Sequence, residues 1–186
     1  MLDPSTGPDA VARFTDDLEQ ALDEGFESAW LPHMFGMDAL TALAVAGRHT
    51  DGTILWMTGP KAIRSHIVPI LSEAATAAGR SAPRVICVLP VCVTADADAA
   101  REAAARAFEF YGTLPNYRAM MDREAVAGPG DLAVVGTEEQ VGARIREIVE
   151  SGATEFVGML YTGGESAPRT RTLLADLAGA GVPSNS

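Results

Sequence analysis

Two short stretches in the first third of the sequence carry side chains that could do chemistry, and each follows a strand-like apolar run. His33 lies in the first, Pro32–Gly36, and an imidazole that titrates near neutral pH suits a proton donor or acceptor. Thr58 and Lys61 lie in the second, where a helix is expected to begin, and free N–H groups at a helix start bind anions. The plain alternatives are a solvent-facing loop histidine, and a helix-capping threonine beside a solvated lysine.

Two further stretches follow the last strand-like runs of the chain. Thr94 and Asp96 come first, and we interpret both as helix caps. Gly163 and Gly164 form the second, with Arg169 just beyond them. Glycine-rich loops at strand ends often hold phosphate in (β/α)8 enzymes, and an arginine can bind phosphate through two parallel hydrogen bonds. An ordinary glycine turn is the alternative interpretation of this loop.

Composition excludes several classes of protein. The 186 residues carry a net charge of −11, and Lys61 is the only lysine, so the basic cluster of a nucleic-acid binder is missing. No apolar run reaches the roughly 18 residues that span a bilayer, and the N-terminus lacks the pattern of a secretory signal. Cys87 and Cys92 have an odd separation, which puts them on opposite faces of a strand and disfavours a disulfide or a metal pair. We therefore expect a cytoplasmic protein with no nucleic acid, no membrane and no metal.

Helix-like and strand-like segments alternate along the chain and must position these residues. Strands are predicted at Glu27–Leu31, Thr53–Met57, Arg84–Val93 and Glu155–Tyr161, with a stub at Met1–Asp3. Helices are predicted at Pro8–Glu24, Asp38–Ala46, Lys61–Ala78, Asp96–Tyr111 and from the capping box of Thr137 and Gln140 onward. Pro69 should kink or split its helix, and Ala127–Gly136 is predicted to be a loop. The pattern is typical of a parallel sheet covered by helices, either a (β/α)8-type barrel or an open doubly wound sheet.

Three stretches resemble the luciferase-like monooxygenase family, in particular its branch that depends on the deazaflavin coenzyme F420. They are Leu2–Gly47 with GFESAWLPHMFG, Ala46–Thr94 with TILWMTGPKAI, and Val134–Tyr161 with VVGTEEQVGARI. The resemblance implies a (β/α)8 barrel and an oxidoreductase that transfers hydride between the deazaflavin and a small organic substrate, with FMN as the alternative cofactor.

The resemblance also implies roles for individual residues. The loop that contains His33 would face the deazaflavin ring, and related enzymes use a threonine and a lysine that match Thr58 and Lys61 for an anionic substrate group. The predicted catalytic residue is therefore His33. The predicted cofactor-binding residues are Phe35, Gly36, Thr58, Gly59, Lys61, Gly163, Gly164 and Arg169.

The chain departs from this family in length. A (β/α)8 barrel typically needs about 250 residues, whereas here the second helix leads into strand six within Ala46–Asp51. We expect an α/β fold, an incomplete (β/α)8 barrel with about five parallel strands. It would form a single truncated domain, with an N-terminal part at residues 1–47, a C-terminal part at 48–178 and a frayed tail at 179–186.

Missing strands leave open sheet edges and an exposed apolar interior. Such a sheet could close as a smaller barrel, pair with a second copy as a homodimer through its open edges, or remain a poorly folded remnant. The alternative function is accordingly a non-catalytic truncated barrel or a homodimer that binds a flavin or another ligand.

Overall fold

The computed structural model describes residues 16–17, 20, 23–24, 30–32 and 39–180. Five strands form one parallel sheet: β1 Trp30–Pro32, β2 Gly52–Trp56, β3 Arg84–Val93, β4 Val134–Gly136 and β5 Glu155–Leu160. The helices are α1 Ala39–His49, α2 Pro60–Ala62, α3 Val68–Ala77, α4 Ala97–Ala107, α5 Glu109–Thr113, α6 Pro115–Glu124, α7 Pro129–Leu132, α8 Glu138–Glu150 and α9 Ser166–Gly179. The predicted α/β class with about five parallel strands is confirmed.

Strand β3 lies at the centre of the sheet. It pairs with β2 through its first half and with β5 along its middle. Val91 is the register partner of both Val134 and Leu160, so β4 and β5 lie on opposite sides of β3. On the far side of β2, β1 pairs directly with it, with Leu31 opposite Thr53. The strand predicted at Glu27–Leu31 and the strand predicted as strand six of the barrel are therefore neighbours, connected through α1.

The two faces of the sheet differ in burial. Leu89 of β3 is fully buried and lies opposite Gly158, where a Cβ would lie 2.7 Å from Leu174 of α9. This face is covered by helices, as the apolar pattern predicts. The other face carries side chains that remain partly or largely exposed, and we call these residues the open face: Ile54, Trp56, Ile86, Val88, Val157 and Met159. The expected exposed apolar interior is thus present.

At the amino end of the open face, Arg84 links three strands. Its guanidinium lies 4.8 Å from the ring centroid of Trp30 in β1, and it forms an ion pair with Glu155 in β5. Gly52 of β2 lies between Trp30 and Arg84, and a Cβ on Gly52 would lie 2.6 Å from Cζ3 of Trp30. Only a glycine leaves room for the arginine to reach the indole across β2.

The helix that contains Pro69 is interrupted, as predicted. A π-helical segment, Ile63–Ile67, separates α2 from α3, and Pro69 is the second residue of α3. Proline has no N–H group and its ring crowds the carbonyl four residues earlier, and the wider π turn accommodates both. The predicted N-terminal helix Pro8–Glu24 and the stub Met1–Asp3 lie largely or wholly outside the described residues, although residues 16, 17, 20 and 23 are helical.

The caps predicted at Asp96 and Thr137 are confirmed, whereas one predicted loop is not. Asp96 caps α4 by accepting the Ala99 N–H at 3.0 Å, and the capping box is formed, with Thr137 N–H donating to Oε1 of Gln140 at 3.0 Å. The prediction of a loop over Ala127–Gly136 is wrong, because this segment contains α7 and β4. Each of these elements has four residues or fewer, which is too short for a hydrophobic period to reveal.

Candidate functional site

The loops that carry the candidate residues start at the carboxyl ends of parallel strands. Ligands bind at this edge in open and closed parallel sheets alike, because the βα loops converge there. Strand β1 ends at Pro32, opposite Ile54 of β2. His33, Phe35 and Gly36, which follow Pro32 in sequence, lie outside the described residues, so their roles stay predictions.

The loop after β2 begins with a strained residue. Met57 is fully buried and has a φ of 53°, a left-handed conformation that residues other than glycine seldom adopt. Thr58 is also fully buried, and its hydroxyl donates to the carbonyl of Trp56 at 3.3 Å. The carbonyl of Thr58 accepts a hydrogen bond from the Cys87 thiol of β3 at 3.5 Å. Thr58 therefore fastens the loop to the neighbouring strand.

Glu124, the last residue of α6, reaches into this loop. Its Oε2 accepts the backbone N–H of Ala62 at 3.1 Å, and the Nζ of Lys61 donates to its carbonyl oxygen at 3.3 Å. Gly59 lies directly beneath the carboxylate, since a Cβ on Gly59 would lie 2.6 Å from Oε1. Sequence reasoning missed Glu124 because it lies 62 positions from Ala62, and no local pattern signals a contact over that separation.

Arg144 of α8 lies on the other side of this carboxylate. Its Nη2 is 3.7 Å from Oε1 of Glu124, while its Nη1 is 2.5 Å from Oε2 of Glu147. Burial raises the pKa of the nearby Cys87 thiol to about 12, an effect that Arg144 opposes and Glu124 reinforces. Cys87 thus stays protonated at neutral pH and acts as a small buried side chain, as predicted. Both cysteines are free and buried, so the prediction of no disulfide is confirmed.

The loop after β5 is open. Gly163 and Gly164 are exposed, and a Cβ built on either would meet no described atom within 4 Å. Gly164 has a φ of 65°, which favours glycine. Ser166 donates to the carbonyl of Gly163 at 3.0 Å, and Thr162 donates to the sulfur of Cys92 at 3.2 Å. The loop is therefore anchored to β3 at one end and leaves free space beside its glycines.

Arg169 is bound to a carboxylate of the same chain. Its Nε lies 3.0 Å from Oε1 of Glu138, and its Nη2 lies 2.7 Å and 2.9 Å from the two carboxylate oxygens. Hydrogen bonding from Arg169 lowers the pKa of Glu138 below its ordinary value. Arg169 was predicted to bind phosphate through two parallel hydrogen bonds. In the structure its guanidinium makes such bonds to the carboxylate of Glu138, the first residue of α8.

Phe108, which follows α4, and Tyr111 of α5 cover the carboxyl end of the open face. Trp56 packs edge-on against Phe108 and Tyr111, with centroids 5.5 Å and 5.7 Å apart, and Phe108 packs against Tyr161 at 5.9 Å. Tyr161 donates its hydroxyl to the carbonyl of Ala100 at 2.9 Å, and burial raises its pKa. The indole Nε1 of Trp56 is buried and has no hydrogen-bond partner in the described part of the chain.

The residues that the structure describes contain no group of three or more His, Cys, Asp or Glu side chains that could hold a metal ion. No helix among them is long and apolar enough to cross a bilayer.

Comparison with known proteins gives one family match. Residues 36–155 match the family described as luciferase-like monooxygenase. Among curated proteins, none is significantly similar to this sequence.

Solved structures share the fold at low sequence identity. The coenzyme F420 dependent tetrahydromethanopterin reductase from Methanopyrus kandleri aligns with a TM-score of 0.61 and 18% identity, over 79% of this chain and 48% of its own. An F420-dependent secondary alcohol dehydrogenase, in complex with an F420-acetone adduct, aligns at 0.59 and 15%, over 83% and 57%. The FMN complex of the oxygenating constituent of 3,6-diketocamphane monooxygenase from Pseudomonas putida aligns at 0.54 and 15%, over 78% and 47%.

These alignments bear on the fold alone. This chain spans about half the length of the solved structures that it matches. Most of this chain superposes on about half of each larger protein, and the predicted incomplete barrel-like fold is confirmed.

Proposed function

The chain belongs to the luciferase-like monooxygenase family, and from this we propose that it is an F420-dependent oxidoreductase that transfers hydride between the deazaflavin and a small organic substrate. The family match over residues 36–155 carries the proposal, because it spans the loops after β2 and β3. We treat residues 1–186 as a single truncated barrel domain. F420 is preferred to FMN on the resemblance of the sequence to the F420-dependent branch.

Two features of the carboxyl end suit a cofactor with a flat ring and a polar chain. The indole N–H of Trp56 is a buried hydrogen-bond donor without a described partner, beside an aromatic cluster. The loop of Gly163 and Gly164 has open space for close approach of a phosphate or hydroxyl group. Lys61 adds an exposed cation, whereas Arg169 is engaged by Glu138 and would have to release it to bind an anion.

In the proposed mechanism the protein binds the cofactor and transfers a proton. When bound, the deazaflavin supplies a ring carbon that carries hydride. Phe35 and Gly36 would contact the ring, while Thr58, Gly59, Lys61, Gly163, Gly164 and Arg169 would contact the rest of the cofactor. His33 would exchange a proton with the substrate atom next to the carbon that gains or loses the hydride, since imidazole is available in both protonation states near neutral pH. The rings of Phe108 and Tyr111 exclude water above Trp56.

A fluorescence titration tests cofactor binding. The chain has two tryptophans, so Trp30→Phe leaves Trp56 as the only indole and a reporter at the carboxyl end. We expect addition of F420 to change this emission and to saturate at micromolar concentration. No change up to about a millimolar, which corresponds to only about 4 kcal/mol of binding energy, would favour the non-catalytic truncated barrel.

Proton transfer is tested with a pair of histidine variants. His33→Ala is expected to lower turnover without weakening F420 binding, whereas His49→Ala, at the exposed end of α1, is the matched control and should leave turnover unchanged. Equal turnover of the two variants would remove His33 from the mechanism.

The alternative is either a non-catalytic truncated barrel or a homodimer, paired through open sheet edges, that binds a flavin or another ligand. Val157 and Met159 of β5 are 46% and 42% exposed, and within the described residues β5 pairs with β3 alone. Beside this edge lies a groove of about 340 Å³, lined by α8, α9 and β5. Unpaired edges and exposed apolar residues favour association.

Light scattering tests the association. We expect the mass of a dimer for the wild-type protein and of a monomer for Val157→Lys, because a buried charge at a dimer edge is costly. Met159→Leu keeps the edge apolar and should remain dimeric. A wild-type monomer that binds no hydrophobic dye would contradict the open-edge account.

A further inference from the structure

The sheet of the described residues is four strands wide. Strand β3 pairs with both β2 and β5 over Ile86–Val88, so those two strands lie on its opposite sides, and β1 lies beyond β2. The three residues of β4 pair with Val91–Val93 on the side of β2, past the carboxyl end of that strand. The order across the sheet is therefore β1–β2–β3–β5, and every pair in it is parallel.

The two outer strands of this order each have a free edge. Within the described residues, β1 pairs with β2 alone and β5 pairs with β3 alone. An unpaired edge presents N–H and C=O groups that readily pair with another strand. Because the two edges are opposite sides of one parallel sheet, the β5 edge of one copy and the β1 edge of another can continue the same parallel ladder.

The open face also lacks a cover among the described elements. Its side chains are apolar and partly exposed, Val157 and Met159 most of all. Parallel sheets are normally covered on both faces, and large exposed apolar patches mark interaction surfaces. The charged residues at the amino end, Arg84 and Glu155, form an ion pair with each other. The face therefore suits an apolar cover that brings no charge of its own.

We propose that two copies of this chain join their open edges, β1 to β5 at both junctions, and close one barrel of eight parallel strands. Four strands from each copy give the number at which a (β/α)8 barrel closes. The alignments over about half of each solved structure agree with one half of such a barrel. The two-fold axis then runs along the barrel, and the open faces of both copies become its interior. Pairing of β5 with β5 alone would leave both β1 edges and both open faces uncovered.

The closed barrel makes the candidate site a shared one. Within one copy, β2 and β3 separate β5 from β1. Around the closed ring, β5 of one copy neighbours β1 of the other, so the loop of Gly163 and Gly164 lies beside the loop that follows Pro32 in the second copy. That second loop contains His33, the predicted catalytic residue. The proposal rests on the homodimer given above as the alternative function, and it is independent of the cofactor.

A mixed-isotope NMR experiment on the full chain tests the junction. One batch of protein is labelled with deuterium and nitrogen-15, a second batch is labelled with carbon-13, and the two are refolded together. Nuclear Overhauser effects from amide protons of the first batch to α protons of the second then arise only between copies. We expect such effects between Trp30–Pro32 of one copy and Glu155–Leu160 of the other, in a protein that has the mass of a dimer by light scattering.

Three other results would overturn the proposal. Effects between β1 and β5 within a single copy would show that the sheet closes on itself as a smaller barrel. Effects between β5 and β5 of two copies, without β1, would keep the homodimer but remove the shared barrel. A monomeric mass would remove the second copy. None of these results bears on the F420 titration, so failure of the proposal and failure of the proposed oxidoreductase are told apart.

A pair of isoleucine variants tests whether the open face is enclosed. Ile86 lies on this face in β3, away from both edges, and Ile70 of α3 is also half-buried but lies on a helix. We expect Ile86→Lys to raise the dissociation constant of the dimer at least about tenfold, because a charge inside the barrel loses its water. The control Ile70→Lys should leave this constant unchanged. Equal dissociation constants would contradict an enclosed interior, and the wild-type NMR result decides the matter if Ile86→Lys does not fold.

Discussion

Thr170 of α9 makes a contact whose loss can be worked out from the structure. Its side chain is 1% exposed, its hydroxyl accepts the N–H of Val93 at 2.9 Å, and it donates to the carbonyl of Ser166 at 2.7 Å. Thr170→Val keeps the volume but leaves the buried N–H of Val93 without a partner. An orphaned buried donor costs about 1–3 kcal/mol. For a chain of this size, about 2 kcal/mol lowers the melting temperature by about 4–8 °C.

The assay combines denaturant unfolding with amide exchange. Thr170→Ser is the matched control, because it keeps the hydroxyl and loses only a methyl group, worth about 1 kcal/mol. We expect the Val93 amide to lose its protection in Thr170→Val and to keep it in Thr170→Ser. Unchanged protection in Thr170→Val, or a free energy of unfolding within about 0.5 kcal/mol of wild type, would refute the reasoning.

Three further substitutions test other contacts. Gly52→Ala should lower the free energy of unfolding by about 2 kcal/mol or more, because the added Cβ would collide with the indole of Trp30 in β1. The control Gly163→Ala adds a Cβ in open space and should change the free energy of unfolding by no more than about 0.5 kcal/mol. Equal effects of the two substitutions in denaturant unfolding would contradict this. Ala125→Gly should stabilise by about 1 kcal/mol, since Ala125 has a φ of 62°, and a loss of stability would show that no strain is relieved. Arg169→Gln should return the pKa of Glu138 toward its ordinary value in an NMR titration. Because the folded pKa is the lower one, the pair stabilises the protein above the unfolded pKa of Glu138. That stability is lost as pH falls through the folded value, so the variant should lose less stability on acidification. An unmoved Glu138 titration would contradict the cause assigned to its pKa shift.

Most of the fold is predictable from the sequence because its signals are local. The apolar run of β3, the cap at Asp96 and the break at Pro69 each lie within a few residues of the feature that they determine. Strand β4 escaped prediction because three residues are too few to show a period. Neither a local pattern nor the resemblance to a known family predicted that β1 would pair directly with β2, because the sequence left open how the shortened sheet would close.

The candidate site is less predictable because its determining contacts join distant parts of the chain. The sequence marks Lys61 and Arg169 as cations near strand ends, but not the groups of the chain that they contact. Glu138 lies 31 positions from Arg169, and Glu124 lies 63 positions from Lys61. Of these two positions predicted to contact ligand anions, Arg169 binds a carboxylate of the chain and Lys61 donates to a main-chain carbonyl, and only tertiary packing decides this.

The direct pairing of β1 with β2 is the central claim, since it allows five strands to form one sheet where the family has eight. Nuclear Overhauser effects between backbone protons report this pairing most directly. We predict cross-strand effects between Leu31 and Thr53 and between Pro32 and Ile54, in the register of a parallel ladder. Their absence, in a protein whose β2 and β3 show the corresponding effects, would contradict the account.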